Sequence, residues 1–467
     1  MQRRSRPGLP GWWAFGVACA TLAGANHVAA QVGSPAGAVP VERLAARREA
    51  LMAAVGSGVV LVRSADERNL EGDYPQDSDF RQDNDFFYLT GIESAGAALV
   101  LVAREDAPDE AILYLPARSP AQEQWTGETL GPDDAAALTG IRDVRPTERF
   151  GDDVARLRAD AASPLKKGGL VLGGAVPTGC LAREPERRCG DAFVGPALAA
   201  AGPAVRPLAP YTAMQRLVKD ADELGRLRRA IDITAEAQQE AMKSAAPGMY
   251  EYEIEALIEY TFRRRGAERV GFPSIVGSGP NSTVLHYDKN RRQTRPGDLV
   301  VMDVGAEFGY YTADVTRTIP VSGRFTPRQR AVYELVLAAQ QAAIDAVRPG
   351  ITVQALDEIA RRYIRDHSSG LCGESPCDRY FIHGLSHWLG MDVHDVGAYD
   401  RPLAPGMVLT VEPGVYLPRE GLGVRIEDDV LVTAEGGEVL SAGAPRSVAD
   451  VERLMASGAR ARAAGTR

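Results

Sequence analysis

Cysteine and histidine are both scarce in this chain, five and six copies in 467 residues, so any local concentration of either is informative. Positive charge is not in excess: Lys and Arg number 53 against 62 Asp and Glu, for a formal net charge of −9. Basic residues cluster only briefly, as at Arg263-Arg264-Arg265, which reads as a solvated helix face, so a nucleic-acid footprint is unsupported. There is no internal repeat, no long low-complexity segment, and nothing in the composition that indicates disorder in bulk. Long apolar runs are missing apart from one, Trp12 to Ala25, which is shorter than the roughly 18 residues of a membrane span.

That run follows Arg3, Arg4 and Arg6 and ends at Val28-Ala29-Ala30. A cationic start, a short apolar core and small residues at the cut predict a signal peptide over 1–30, an uncleaved anchor being the alternative. Cys19 lacks a lipobox leucine three residues before it, which disfavours lipidation. The mature chain is therefore expected to be exported, to the periplasm or beyond the cell, with no stable membrane anchor. The remaining cysteines fall into two local pairs, Cys180 with Cys189 and Cys372 with Cys377. Paired cysteines suit disulfides in an oxidising compartment; four unrelated buried thiols are the other reading.

The length allows two domains with full cores. From 41 to 210, helix-like segments alternate with short apolar runs at 59–62, 86–89, 98–102, 112–115 and 170–172, an α/β pattern. Proline and glycine become frequent from 190 to 210 and mark a linker, so an N-terminal α/β domain is expected over 31–210. Asp220 and Glu223 form a capping-box-like pair ahead of Leu224, Leu227 and Ile231 at helical spacing, with further helices expected over 252–265, 326–347 and 353–366. Hairpins interleave with these helices. The second domain, 211–455, is thus expected to be α+β with a curved antiparallel sheet backed by helices, followed by a tail over 456–467.

Carboxylates occur in pairs on the predicted hairpins. Asp303 follows the apolar run 299–302, and Asp314, eleven residues on, lies in the β-prone run 310–319. A register centred on Phe308-Gly309 places them opposite each other, with Cβ atoms about 4.5–5.5 Å apart. Carboxylates that close resist ionising together, and bound cations remove the conflict. TVEPG and RIEDDVLV repeat the arrangement around the loop 418–423, so Glu412 and Glu427 face each other. With His387, these four carboxylates balance two divalent ions, and an oxygen-rich set favours a hard ion such as Mn2+. Co2+, Fe2+ or Zn2+ could occupy the same site in vitro.

Four of the six histidines, His286, His383, His387 and His394, lie in or near these segments, a concentration that packing does not explain. His367 reads as structural. GSGP at 277–280 lacks the lysine of a phosphate loop and reads as a turn, and Ser386 is not framed by G-x-S-x-G. Trp125 and Trp388 read as core or rim aromatics.

HGLSHWLGMDVHDVG, from His383 to Gly397, resembles the signature of the proline-specific metallopeptidases of the pita-bread fold, and VGSGPNSTVLHY, TVEPGVY and GVRIEDD match the same family. The resemblance runs from Arg216 to the C-terminal region. RQDNDFFYLTGI extends it to a creatinase/aminopeptidase P-like N-terminal domain, although Phe87 stands where relatives commonly carry tryptophan. The family resemblance implies that Asp303, Asp314, His387, Glu412 and Glu427 ligate two divalent ions. In that scheme Asp314 and Glu427 bridge, His387 and Glu412 hold one ion, Asp303 holds the other, and a hydroxide between them is the nucleophile. It further implies Glu412 as proton acceptor and donor, His286 as donor to the oxyanion, and His394 as a hold on the residues after the cleaved bond. His383 and Arg425 would orient substrate, with Arg425 alternatively bracing Tyr416. One of Asp428 and Asp429 would support the ligands without being one.

The activity so implied is removal of the N-terminal residue from peptides with proline in second position, by a homodimer or homotetramer. Prolidase, which cuts only Xaa-Pro dipeptides with the same ligands, is the rival within the family. A catalytically dead pita-bread binding protein is the rival outside it, disfavoured because every expected ligand position is filled.

Overall fold

In the N-terminal half, six strands make one mixed sheet in the order β4-β3-β2-β1-β5-β6: β1 Gly58–Arg63, β2 Ala98–Ala103, β3 Glu110–Leu115, β4 Asp143–Pro146, β5 Leu170–Gly174 and β6 Val205–Pro207. The structure is a computed structural model, and it describes residues 36–67, 80–105, 108–160, 162–177, 191–201 and 205–465. The expected signal peptide and the Cys180–Cys189 pair lie outside the described residues. β1 and β2 are buried along their whole length because GVVLVR and ALVLVA have no polar face to give to solvent. One face packs on Leu44, Leu51 and Phe86, the other on Phe150, Phe193 and Val194.

Two N-terminal segments depart from the sequence reading. The run 86–89 belongs to a helix, Asn84–Thr90, whose first turn is capped by Asp83 accepting from the Phe86 amide at 3.0 Å and whose end is closed by Gly91 at φ 68°. Four consecutive apolar residues fit a helix buried on all sides as well as a strand, and the caps decide between them. The proline- and glycine-rich stretch 190–210 is not a linker: it contains the helix Val194–Ala201 and the edge strand β6 beside β5. Proline is tolerated at such an edge, where its missing donor leaves no partner unpaired.

The C-terminal half begins with the helix Ala221–Ser244, opened by the Asp220/Glu223 capping box. Its strands are β7 Arg269–Val270, β8 Ile275–Ser278, β9 Leu299–Val304, β10 Ala306–Phe308, β11 Tyr311–Thr312, β12 Val315–Pro320, β13 Val408–Val411, β14 Gly414–Leu417, β15 Leu422–Arg425, β16 Asp428–Val432 and β17 Gly437–Val439. They form the groups β12-β9-β8, β11-β10-β7, β13-β16-β17 and β14-β15. The Glu427 amide donates to the Thr316 carbonyl at 3.1 Å, and Thr318 Oγ1 donates to the Arg425 carbonyl at 2.8 Å, so the groups meet in one curved layer. Helices lie behind it, among them Glu251–Arg264, Pro327–Ala346 and Val353–His367. A glutamine on a backing helix serves each ligand hairpin. Gln238 Nε2 donates to the carbonyls of Met302 and Val315 at 3.0 and 2.8 Å, and Gln340 Nε2 donates to those of Val411 and Ile426 at 3.0 and 3.1 Å.

The register of the first hairpin differs from the expected one. Asp303 faces Thr316, not Asp314, and the turn sits one residue later, at Gly309-Tyr310. Both turn residues have positive φ, 57° and 71°, which a two-residue type I′ turn requires. Tyrosine at such a position carries no turn signal in the sequence. Asp314, two residues before Thr316, is the diagonal neighbour of Asp303. In the second hairpin, Val411 faces Asp428 and Gly414 faces Arg425, a shared register that sets Glu412 opposite Glu427 as expected.

The closing helix Val448–Gly465 runs unbroken across position 456. Cys372 and Cys377 form a disulfide. Among the described residues, no helix is long and apolar enough to cross a membrane.

Candidate metal centre

Three segments bring the five ligand candidates together. The chain around His387 lies along β13, with the Thr410 amide donating to the His387 carbonyl at 3.0 Å and the Glu412 amide to that of Leu385 at 2.9 Å. This pairing aims the imidazole between the two hairpins. His387 Nε2 is 3.3 Å from Asp314 Oδ2, 3.4 Å from Glu412 Oε1 and 4.0 Å from Glu427 Oε1. Asp314, His387 and Glu427 each offer a ligand atom, all within 4.8 Å of one another. Asp303 joins from the side of Arg425, which pairs with its Oδ2.

The chemistry of this cluster fits divalent cations. Asp303 Oδ1, Asp314 Oδ1 and Glu427 Oε1 are buried without a hydrogen-bond partner, and an unpartnered buried carboxylate oxygen is costly unless a cation neutralises it. Burial pushes Asp314 far above the usual carboxylate range, with repulsion from Asp303, Asp429 and Glu412 adding to it. Glu427 is raised likewise, by burial first and then by Asp314 and Glu412. Burial lifts Glu412 to about 7, against the pull of His387 and Arg425. No thiolate is present, so the donor set suits a hard or borderline ion.

Supporting contacts include residues that the sequence reading did not single out. Thr316 Oγ1 donates to Glu427 Oε2 at 2.6 Å, and Thr410 Oγ1 donates to Glu412 Oε1 at 3.4 Å. Their signal was positional: each threonine lies on a strand buried along its whole length, next to a ligand pair. Asp429 Oδ2 accepts from the Asp314 amide at 3.2 Å. Asp428 is occupied elsewhere, by Arg317 at 2.6 Å and Ser441 Oγ at 2.6 Å. Neither aspartate is in the ligand cluster.

His383, Tyr416 and Arg425 form a chain beside the ligands. His383 Nε2 and the Tyr416 hydroxyl are 2.8 Å apart, and Arg425 Nη1 donates to that hydroxyl at 3.0 Å. Arg425 thus braces Tyr416 and pairs with Asp303 at once. Burial lowers His383 to about 4, and the Arg425 charge adds to the effect, so its ring is neutral at ordinary pH. Burial raises Tyr416 to about 12. His394 stacks edge-on against His387 with ring centroids 4.3 Å apart, and its pKa is lowered by burial, then by His387 and His286. His286, an exposed residue, is near enough to His394 to contribute to that lowering.

The remaining candidates are outside the centre. Trp388 is fully buried and stacked on Tyr399, whereas Trp125 is 71% exposed. His367 stacks on Tyr363 at 4.0 Å, GSGP leads into a short 3-10 turn, and Ser386 Oγ has no base as a partner. Phe87 stacks on Tyr310, ring centroids 3.7 Å apart. A cavity of about 480 Å³ lies beside these two rings, and none of the five ligand candidates lines it.

Two carboxylate hairpins in a curved sheet, with a histidine set between them, define a metallopeptidase of the pita-bread class. Residues 225–434 match the model of metallopeptidase family M24, and residues 44–164 match that of the aminopeptidase P N-terminal domain. The chain is 35% identical to the Xaa-Pro aminopeptidase of Haemophilus influenzae, covering 89% of this chain and 98% of that one. It is also 35% identical to the Xaa-Pro aminopeptidase of Escherichia coli, over 88% and 96% of the two chains. Among solved structures, proline aminopeptidase P II from Yersinia pestis superposes with a TM-score of 0.80 at 34% identity, covering 90% of this chain and all of that one. A zinc-substituted E. coli aminopeptidase P in complex with product gives 0.80 at 32% identity, over 90% and 99%. The chain belongs to the Xaa-Pro aminopeptidase family and is a metallo-aminopeptidase.

Proposed function

We propose that this enzyme hydrolyses the bond between an N-terminal residue and a proline in second position, with two divalent ions per subunit, Mn2+ being the ion its donors favour. The observation that carries the reading is the convergence of Asp314, His387 and Glu427 within 4.8 Å, flanked by Asp303 and Glu412, with carboxylate oxygens left unpartnered. Ions held by these five side chains would supply Lewis acidity at the scissile carbonyl and ionise a water near neutral pH. Asp314 and Glu427, the two carboxylates of the 4.8 Å cluster, would be the ones shared between the ions. Glu412, whose Oε1 is 3.4 Å from His387 Nε2 at the edge of the cluster, would accept the proton of the attacking water and return it to the leaving prolyl nitrogen.

His286 and His394 are both exposed, and His394 is in ring contact with His387. The first donates to the developing oxyanion, a contact worth about 2.7–4 kcal/mol where such donors have been removed. The second holds the residues after the cleaved bond. Neutral His383, with Tyr416 and Arg425 behind it, orients the substrate. Proline's ring fixes φ and removes the amide donor, so a site of this kind serves a bond that general peptidases handle poorly. The composition of residues 1–30 and the Cys372–Cys377 bridge support export, to the periplasm or beyond. Assembly as a homodimer or homotetramer is proposed from family membership.

Steady-state kinetics on Xaa-Pro-Xaa tripeptides and Xaa-Pro dipeptides test this reading. A higher kcat/KM is expected for the tripeptide. Preference for the dipeptide would reassign the enzyme as a prolidase.

A further inference from the structure

The front-domain segment 81–87 touches two elements that carry residues of the metal centre. Arg81 Nε donates to Glu307 at 2.9 Å (Oε2) and 3.1 Å (Oε1), and its Nη2 donates to the Met391 carbonyl at 2.8 Å. Glu307 lies on β10, in the hairpin that carries Asp303 and Asp314, and is 3% exposed. Met391 precedes His394 by three residues. The two chains already adjoin, since the Thr312 amide donates to the Gly390 carbonyl at 2.9 Å. One guanidinium therefore spans the seam between them.

Neighbouring contacts converge on the same two elements. The Gln82 amide donates to the Tyr310 hydroxyl at 3.0 Å, Phe87 stacks on the Tyr310 ring, and the Arg81 guanidinium lies 5.0 Å from that ring's centroid. Asp85 accepts from Arg216 Nη1 at 3.0 Å, while Arg216 Nη2 donates at 2.6 Å to Asp395, the residue after His394. Lys219 Nζ completes the pairing with Asp395 at 3.3 Å. The His394 loop is thus gripped at both ends, at Met391 directly and at Asp395 through Arg216.

We propose that Arg81 is a positioning residue that sets the His394 loop against the hairpin of Asp303 and Asp314, so that the front domain tunes the geometry of the metal centre. The inference rests on the peptidase reading above. Arginine suits this task because its planar fork can satisfy a carboxylate and a carbonyl in fixed directions, which a lysine ammonium cannot. Misplacing a reacting group by about 1 Å can cost about 100-fold in rate, so a loosened seam should be visible in turnover before it is visible in folding.

The test uses full-length, metal-loaded Arg81→Ala and Arg81→Lys beside the unaltered enzyme, reading metal per chain, kcat and KM on an Xaa-Pro-Xaa tripeptide, and amide hydrogen exchange. Arg81→Ala is expected to keep its metal and lose about tenfold or more in kcat, with a smaller change in KM. Exchange should quicken at 307–314 and 388–397 and nowhere else. Arg81→Lys should fall between the two, since it keeps charge near Glu307 but not the fork; if Arg81→Ala does not fold, this variant decides by the same readouts. Unchanged kcat and exchange would overturn the proposal, as would faster exchange throughout the chain with kcat per metal-loaded site intact. Failure of the unaltered enzyme to cleave the tripeptide would sink the peptidase reading instead, leaving the exchange result to judge the seam.

Discussion

Asp314 is buried beside Asp303 and close to Glu427, an arrangement that is stable only with protons or cations on the oxygens. Without metal, the raised pKa values of Asp314, Glu427 and Glu412 mean that the folded chain holds more protons than the unfolded one. For a carboxyl raised in this way, the stability it contributes is fully present below the unfolded value and is lost as pH rises through the folded one. For Glu412 that window runs from 4.5 to about 7. Chelator-treated protein is therefore expected to resist urea less at about pH 8 than at about pH 5, and added Mn2+ should raise the unfolding midpoint more at the higher pH. A metal-free midpoint that climbs over this range would show that the carboxylates do not share one site. At this scale the clustering of the candidate ligands was legible, because carboxylates in strand-like runs have few structural uses. The double duty of Arg425 was not, since a pairing with Asp303 depends on a strand crossing that no local pattern encodes.

Both carboxylate hairpins accept hydrogen bonds from their backing helices. Gln238 donates to the Met302 and Val315 carbonyls, the residues next to Asp303 and Asp314. Replacing it by leucine leaves both carbonyls buried without that donor, at a cost of about 1–3 kcal/mol. Gln238→Leu should lower the urea midpoint accordingly and weaken metal retention in competition with a chelator. Unaltered metal affinity would mean that the hairpin keeps its shape without the helix. Element boundaries along the second domain follow from periodicity and caps, as with the helix Pro327–Ala346 behind its Thr326/Gln329 capping box. The register of the first hairpin did not follow, because Tyr310 takes a left-handed turn conformation that its residue type does not announce. It is stabilised there by partners from the other domain, Phe87, Gln82 and Glu93.

Taken whole, the molecule places a mixed α/β sheet in front of a curved sheet that carries the metal centre, and the two are joined by buried charges as well as by apolar packing. Arg47 reaches Asp220 at 3.2 Å and Glu223 at 3.7 Å, while Arg216 links Asp85 to Asp395. The two-domain order could be read from alternating patterns, but the stretch 190–210 looked like a linker because edge strands tolerate the same proline that linkers favour. Domain contacts are longer in range than any pattern. The proposed peptide chemistry, by contrast, calls on five side chains that can be picked out in the sequence.

The most direct test of that chemistry is cleavage of an Xaa-Pro-Xaa tripeptide by protein stripped of metal and then titrated with Mn2+, with metal content measured alongside. Activity should vanish on stripping and return as two ions bind per chain. Turnover that persists in fully metal-free protein would contradict the assignment of Asp303, Asp314, His387, Glu412 and Glu427 as the catalytic metal ligands.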